Sequence, residues 1–170
     1  MAYEFKIPKI LKAFNLFIKD RGYAGRVDEI TLPKLAIAAT EYSAGGMDIA
    51  IDLDMGMEKM EASMTLNEYS PEVIKLFGLG KRNPVDAVLK GVLDDEGSLT
   101  KIEVELRGMF TEVDMGSWTP GEKQSLGLQI AVRYYKLTIG TEVLVEIDAI
   151  NMVRKIAGED QLLEVRNLIS

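Results

Sequence analysis

The segments TKIEVELRGMF (residues 100–110) and SLGLQIAVRY (residues 125–134) decide the fold class of this chain. Apolar and polar side chains alternate in both, and the apolar positions are Ile102, Val104, Leu106 and Phe110, then Leu126, Leu128, Ile130, Val132 and Tyr134. A period of two residues is typical of a β-strand with one buried face. The segment between them contains Gly and Pro (residues 114–123), so the pattern predicts one long hairpin.

The length of this hairpin is itself informative. Each arm keeps its alternation for about twice the 5–6 residues of an ordinary strand. At about 3.3 Å per residue, one arm reaches roughly 40 Å. A small domain does not easily cover both faces of so long a ribbon, so we expect other chains to complete it.

The composition is that of one globular domain. The chain has 170 residues, of which 47% are hydrophobic and 28% charged, which is enough apolar material for a real core. It shows neither the basic and apolar pattern of a signal peptide nor a long apolar run. We therefore expect a single domain over residues 1–170 that neither spans a membrane nor is exported by such a signal.

Several classes of active site are excluded by residues that the chain lacks. It contains no His and no Cys, which removes zinc sites, Ser-His-Asp triads, thiol nucleophiles and disulfides. An enzyme would have to use carboxylates, Lys or Tyr. Glu103 and Glu105 could form a glycosidase-like pair, but they alternate with Lys101 and Arg107 as on a plain polar sheet face. We predict no enzymatic activity, no catalytic residue, no metal and no cofactor.

Charge is unevenly distributed along the chain. The net charge of −7 and the pI near 4.8 have the wrong sign for gripping nucleic acid through phosphates. Residues 1–13 are predicted to be an N-terminal arm carrying Lys6, Lys9 and Lys12. Residues 1–21 hold five basic side chains and two acidic ones, a local charge of +3.

Residues 41–61 are predicted to be a long acidic interaction loop. They hold six acidic side chains and one basic one, a local charge of −5. Loops of this length in compact domains are usually functional or disordered. The expected inter-subunit contact residues in it are Gly45, Gly46, Met47, Asp48, Asp52, Asp54, Met55, Met57 and Met60.

Two details of this segment bear on its role. An EF-hand needs Gly at its sixth position and Glu at its twelfth, and counting from Asp48 or Asp52 gives neither, so calcium is not predicted. Methionine fills irregular cores and is also common at adaptable binding surfaces, so the role of Met55, Met57 and Met60 stays open.

The rest of the chain predicts a mainly β fold. Strand patterns cover residues 14–19, 27–39 (where Pro33 suggests an edge or a bulge), 57–67, 85–93, 99 onward and 143–150, with a turn at 94–98. Ser70, Pro71 and Glu72 open a short helix that Gly78 and Gly80 end, and residues 159–169 form a C-terminal helix. Trp118 is expected to anchor its loop. The predicted fold is a single-domain antiparallel β-sandwich or barrel-like fold with two short helices.

Eight short motifs occur in an order that resembles a known family, the major tail tube proteins of contractile-tailed phages, a family shared with R-type bacteriocin tubes. They are LPKL (residues 32–35), AGGMD (44–48), DMGMEKMEA (54–62), LRGM (106–109), EVD (112–114), YYKL (134–137), EIDAINM (146–152) and GEDQL (158–162). Together they cover nearly the whole chain from residue 14 onward.

The resemblance implies a structural protein of the virion tail, assembled in the bacterial host cytoplasm. Members form hexameric rings that stack into a hollow tube, each subunit giving strands to a barrel around the lumen. The implied partners are other copies of the chain, the tail sheath protein, baseplate and tail terminator proteins, a tape measure protein in the lumen and DNA that passes without specific binding. A genome-free bacteriocin tube and a monomeric small-ligand β-barrel are the alternatives.

The charge distribution adds a hypothesis about assembly. Complementary patches at separate places on one subunit favour head-to-tail contact between copies. We expect the N-terminal lysines to meet the acidic segment of an adjacent copy, and we expect that segment to be mobile in the free subunit and ordered after assembly.

Overall fold

The computed structural model describes residues 7–78 and 84–170. The elements in chain order are β1 (Ile10–Ile18), β2 (Arg21–Gly22), β3 (Val27–Thr31), β4 (Ile37–Tyr42), β5 (Ile51–Met57), β6 (Met60–Leu66), α1 (Pro71–Ile74), β7 (Val85–Asp95), β8 (Ser98–Asp114), β9 (Leu126–Ile139), β10 (Glu142–Asp148), β11 (Val153–Ile156), β12 (Glu159–Asp160) and α2 (Leu163–Ile169). The prediction of a mainly β antiparallel fold with two short helices is confirmed.

The long hairpin predicted from residues 100–140 is the centre of the fold. Strand β8 has 17 residues and β9 has 14, and the two pair antiparallel from Ile102–Ile139 to Asp114–Gly127. On its other edge β8 pairs with β7 through the predicted turn, where Glu96 and Gly97 both have positive φ. Two successive positive φ values are typical of the tight turn that matches strand twist.

A β-bulge bends this ribbon near its middle. Arg107 pairs with Tyr134 but Gly108 pairs with Val132, so Arg133 is the extra residue on β9. One extra residue reverses the alternation beyond it. Tyr135 is therefore buried and Tyr134 lies on the outward side, whereas the sequence pattern predicted the opposite.

The bend divides the sheet into two layers that enclose one core. The short layer is β3, β6, residues 126–132 of β9 and residues 109–114 of β8, in that order. The long layer runs β12-β11-β10-β9-β8-β7-β1-β2 and uses the other halves of the central strands. Buried side chains from both layers form one cluster, which makes the subunit a sandwich. In the described part of the chain, the end strands β12 and β2 of the long layer do not pair with each other, so the sheet does not close into a barrel.

Several predicted boundaries were wrong. Strand β1 begins at Ile10, so residues 10–13 of the predicted arm belong to the sheet, and Lys6 lies outside the described residues. The predicted strand at 27–39 is two strands separated by a buried Pro33, because proline cannot continue a ladder.

The predicted helix boundaries agree more closely with the structure. The first helix starts at Pro71 as predicted, and Gly80, one of its two predicted stop residues, lies outside the described part of the chain. The C-terminal helix begins only at Leu163, because Glu159 and Asp160 form β12 on the edge of β11, a strand that the sequence pattern did not predict.

Candidate assembly surface

Residues 41–61 were predicted to be a long loop, but they contain most of a second hairpin. Strands β4 and β5 form a separate two-stranded sheet in which Tyr42 pairs with Ile51 and Ile37 with Met57. Strand β5 was not predicted from the sequence because of its acidic residues. These residues nevertheless alternate with Ile51, Leu53 and Met55, as a strand requires. Only residues 43–50 connect the strands, and Gly46 has the positive φ of a tight turn.

This β4–β5 hairpin has one apolar and one acidic face. Residues directly opposite in an antiparallel pair point to the same side. The pairs Tyr42–Ile51 and Thr40–Leu53 therefore share one face, and Glu41–Asp52 and Ala39–Asp54 share the other.

The apolar side chains of the hairpin are strongly exposed. Ile49 is 77% exposed, Met55 65%, and Tyr42, Ile51 and Leu53 each between 42% and 49%. Contiguous exposed apolar surface marks an interaction site, and no strand pairs with either outer edge of the hairpin within the described residues. The hairpin therefore has the properties of a surface that a neighbouring chain covers.

Gly56 allows the change of direction at the base of the hairpin. Its φ is +99°, and its N–H donates to Asp54 Oδ1 at 2.8 Å. The register shifts at this point, which indicates a bulge. Just beyond it, the Glu58 N–H donates to the Ala36 carbonyl at 2.9 Å and closes the base.

One buried cation connects the hairpin to the sandwich. Arg154 of β11 is only 9% exposed, and its Nη2 donates to Asp54 Oδ2 at 2.7 Å. The Arg154 hydrogen bond is the main cause that lowers the pKa of Asp54, and the Gly56 N–H is the second. Asp54 is therefore bound within its own subunit, while Asp52 remains an exposed acid on the same face.

Two of the predicted basic contact residues, Lys9 and Lys12, contact residues of β8 and β7 in their own subunit. Lys9 Nζ donates to the Thr100 hydroxyl at 3.1 Å, and Lys12 Nζ contacts Asp94 Oδ2 at 2.6 Å. The Lys12 hydrogen bond is the largest cause that lowers the pKa of Asp94. Within one subunit these lysines bind the β7–β8 turn rather than the acidic hairpin. Their contact with an adjacent copy stays a prediction.

The sequence left open whether the methionines fill the core or form a binding surface, and the structure contains both kinds. Met60, which was expected at an inter-subunit contact, is 4% exposed and packs in the core of β6. Met57 is partly buried against the same core, and Met55 is exposed. Gly45, Gly46, Met47 and Asp48 lie in the exposed connection between β4 and β5, where Met47 Sδ accepts the Ala44 N–H at 3.4 Å.

Two further exposed apolar features were missed or misread in the sequence. Helix α2 leaves Leu168 and Ile169 exposed while Arg166 binds Asp160 and the Met152 carbonyl, each at 2.8 Å. Trp118 is 76% exposed, and its ring lies against that of Tyr69 with 6.3 Å between the ring centres. Tyr69 in turn holds the loop, because its hydroxyl donates to the Met115 carbonyl at 2.7 Å.

The acidic residues do not converge into a metal site. Within residues 7–78 and 84–170, no three His, Cys, Asp or Glu side chains lie together in a way that could hold a metal ion. The same residues contain no helix with the length and apolar character needed to cross a membrane.

Comparison with known families identifies the protein class. The family model of phage tail tube protein FII matches residues 8–169. The chain belongs to this family. It is 34% identical to the tail tube protein of Escherichia phage P2, covering 96% of this chain and 98% of the relative. It is 31% identical to the major tail tube protein of Serratia phage KSP20, covering 91% of each.

Solved structures share the fold of this tail tube protein. A sheath-tube complex of the extracellular contractile injection system PVC contains a chain with a TM-score of 0.61 and 9% identity, covering 77% of this chain and 91% of that one. The sheath/tube terminator complex of PVC contains another, with a TM-score of 0.59 and 12% identity, covering 81% and 99%. The relatives are tail tube proteins, so the predictions of a structural virion component and of no enzymatic activity are confirmed.

Proposed function

We propose that this tail tube protein forms hexameric rings that stack into the rigid inner tube of a contractile phage tail, the conduit through which the genome is delivered. The observation that carries the proposal is the exposed apolar face of the β4–β5 hairpin, which has no partner within the described subunit. Family membership gives the class of assembly, and the hairpin gives the subunit a means of joining its neighbours.

The open sheet supports assembly into a barrel around a lumen. Strand edges that are left unpaired invite pairing with another chain, and closure into a barrel removes them. Barrels with a water-filled channel have about 16–18 strands in porins. Within residues 7–78 and 84–170, the main sheet has 10 strands and remains open. Several copies are therefore needed for a channel.

The assemblies in which the fold occurs support the choice of proposed partners. The related tubes are found in a sheath-tube complex and a sheath/tube terminator complex of PVC, and a chain of similar fold, at a TM-score of 0.50, occurs in the baseplate of the anti-feeding prophage. We propose contacts with a tail sheath protein, a terminator and a baseplate, with a tape measure protein and then DNA in the lumen. Assembly would take place in the host cytoplasm.

The two alternatives are weighed by the same observations. A monomeric ligand-binding barrel would have a closed sheet around its pocket, and the sheet formed by the described part of this chain is open. A tube of an R-type bacteriocin uses the same subunit architecture without a genome, and the named relatives at more than 30% identity belong to phages. We therefore favour the phage tail.

Purified protein tests the proposal directly. Analytical ultracentrifugation over increasing concentration should show rings or longer polymers, and electron microscopy should show hollow tubes with sixfold end views. A tail initiator complex added as seed should shorten the lag if nucleation limits assembly. A protein that remains a compact monomer at high concentration, with and without the seed, would contradict the proposal.

A further inference from the structure

The core of the sandwich is not completely covered at one end. Phe14 of β1, Gly91 of β7 and Ile102 of β8 are successive partners across the long layer. Gly91 and Ile102 stand two residues from the buried Leu89 and Val104, so this row lies on the core side of the sheet. Phe14 is nevertheless 38% exposed. The apolar side of the long layer therefore continues past the point where the core is closed.

An apolar pit of about 110 Å³ lies at this open end. Side chains of the long layer form one wall, and Ile30 and Leu32, in and just after β3, form the other. Gly91 is part of the lining, and a Cβ atom there would lie 2.9 Å from Ile102 Cγ2 and 3.0 Å from Leu11 Cδ1. An apolar cavity of about 150 Å³ stays dry and binds benzene. The pit therefore has room for one aliphatic side chain.

Basic side chains accompany the pit. Lys9 and Lys12 flank Leu11, which lines the pit and is 53% exposed. Lys34 follows Leu32 by two residues, and all three lysines are exposed. Exposed charges of this kind steer association and fix register more than they add affinity. The group that matches the pit is therefore apolar with a carboxylate next to it.

The tip of the β4–β5 hairpin has this combination. Ile49 is 77% exposed, and Asp48 precedes it in the connection of residues 43–50. The contact of Arg154 with Asp54, which ties the hairpin to the sandwich, lies near the other end of the hairpin. Six residues of extended chain, the separation of Asp54 and Asp48, span about 20 Å. The tip is therefore within reach of another copy.

Two other side chains are about as exposed as Ile49 but have no acidic neighbour in the chain. Leu168 of α2 is 86% exposed and Trp118 is 76% exposed. The residues on either side of them are Asn167 and Ile169, and Ser117 and Thr119. An indole ring is also larger than benzene, so Trp118 exceeds the pit in size. Ile49 matches the pit in size, in polarity and in the charge beside it.

We propose that Ile49 at the hairpin tip of one copy fills the apolar pit of an adjacent copy, with Asp48 among the lysines beside the pit. The proposal rests on the proposed function, because it names the surface on which the hairpin joins a neighbour in the tube. The contact removes Ile49 from water and closes the open end of the neighbour's core at the same time. It joins two different surfaces, so it is heterologous and can repeat from copy to copy.

Single cysteines test the contact, because the natural chain has none. One protein carries Ile49→Cys and a second carries Leu32→Cys, with tags of different size. The two are mixed with unmodified chain, assembled into tubes and treated with a short bismaleimide. Because each chain has one cysteine, every cross-linked dimer joins two copies. Leu168→Cys and Trp118→Cys replace Ile49→Cys in matched mixtures.

Tubes should yield the mixed dimer of Ile49→Cys with Leu32→Cys, and the same mixture kept as free subunits should not. A stronger dimer from position 168 or 118 than from position 49 would overturn the proposal, as would the absence of the mixed dimer from tubes that contain both cysteines. Failure of the unmodified chain to form tubes would instead count against the proposed function.

A double-mutant cycle tests whether the two residues touch. Ile49→Ser and Leu32→Ser should each raise the concentration needed for tube formation by about tenfold or more, because each removes buried apolar area from the contact. Residues in contact are not independent, so the double variant should be little worse than either single variant. Circular dichroism of the free subunits checks that each variant is folded.

Leu99→Ser is the matched control for the cycle. Leu99 is 65% exposed and lies on the opposite face of β8 from Ile102, three residues away. Whatever effect Leu99→Ser has alone should multiply that of Ile49→Ser in the combined variant. Effects of Ile49→Ser and Leu32→Ser that multiply in the same way would show that the two residues do not touch, and the proposal would fail.

Discussion

At the scale of single residues, Gly108 shows how the bulge constrains the sequence. A Cβ atom at this position would lie 2.1 Å from the Ala131 carbonyl oxygen, which belongs to backbone that cannot move aside. The register shift beside Gly108 brings the two strands this close. A glycine here is therefore required by the bend that makes two layers from one ribbon.

Gly108→Ala should lower the free energy of unfolding of the free subunit by about 1–3 kcal/mol or more, as overpacking in a rigid core does. Urea denaturation followed by circular dichroism measures this. Gly127→Ala on the same ribbon is the control, because its Cβ would meet Asp114 Cβ at 3.5 Å, an ordinary contact. The control should change the free energy by less than about 0.5 kcal/mol. Equal effects of the two variants would contradict the account of the bulge.

The contact between Asp54 and Arg154 predicts a pH dependence that can be measured. A carboxyl whose folded pKa is lowered contributes stability that is present above its unfolded pKa and is lost as the pH falls through the folded pKa. For Asp54 that window lies below its ordinary value of 3.8. Acid should therefore loosen the base of the hairpin from β11.

The Gly56 amide reports this titration, because it donates to Asp54 Oδ1 at 2.8 Å. Its NMR chemical shift, followed through an acid titration of the free subunit, should give a midpoint below the ordinary aspartate value. Arg154→Gln should raise that midpoint, and Lys155→Gln, which removes a neighbouring cation that does not touch Asp54, should not. A midpoint that is the same in all three proteins would show that Arg154 does not hold the carboxylate.

At the scale of elements, the long strands were predictable and the β4–β5 hairpin was not. The arms of residues 100–110 and 125–134 alternate because one side faces a core, and that pattern survives in the sequence. The strand of residues 51–57 alternates too, but residues 51–55 are exposed on both faces in one subunit. Its mixture of apolar and acidic residues, without a face buried in the core, was therefore interpreted as a loop. Its outward apolar residues make physical sense only with a neighbouring chain present.

The hairpin offers two adjacent pairs for testing which face binds. Tyr42→Ser with Ile51→Ser removes apolar groups that are each about half exposed in the subunit. The burial lost at each contact is about 1.5–3 kcal/mol, so tube formation should weaken by about tenfold or more. Light scattering during assembly measures the change, and circular dichroism should show an unchanged subunit.

The matched variant is Glu41→Ser with Asp52→Ser, the next pair along the hairpin, which points to the other face. Charges at a rim mainly steer association, so this variant should alter the rate and its salt dependence but leave the final amount of tube nearly the same. A greater loss of tube from the acidic pair than from the apolar pair would mean that the acidic face makes the main contact.

At the scale of the whole molecule, the family and the fold class could be predicted from the sequence, whereas the surfaces could not. Motif order identifies the family because it spans nearly the whole chain. Which side of a strand faces a neighbour depends on where the ribbon bends, and the register of the ribbon shifts at two extra residues, Arg133 on β9 and Thr111 on β8. The lysines illustrate the same limit, since Lys12 pairs with Asp94 82 residues away, a contact that no local pattern indicates.

The uneven charge of the chain leads to the last prediction, which concerns steering between copies. Residues 1–21 carry a net charge of +3 and residues 41–61 carry −5. Unlike patches at separate places attract in a head-to-tail arrangement, which generates rings or filaments. Because exposed charges are screened within about 8 Å at physiological ionic strength, assembly should slow as salt rises.

Reversing Lys6, Lys9 and Lys12 to Glu should slow tube formation at low salt, and reversing Asp52 and Asp54 to Lys in the same protein should restore part of the rate. The rescue should come mainly from Asp52, because Asp54 is held by Arg154 in its own subunit. A variant with Asp52→Lys as the only acidic reversal separates the two contributions. The lysine changes also break the Lys12–Asp94 contact, so Asp94→Asn serves as the control for that loss. Equal assembly rates in all these proteins across the salt series would remove electrostatic steering from the account and leave the apolar hairpin face as the determinant of assembly.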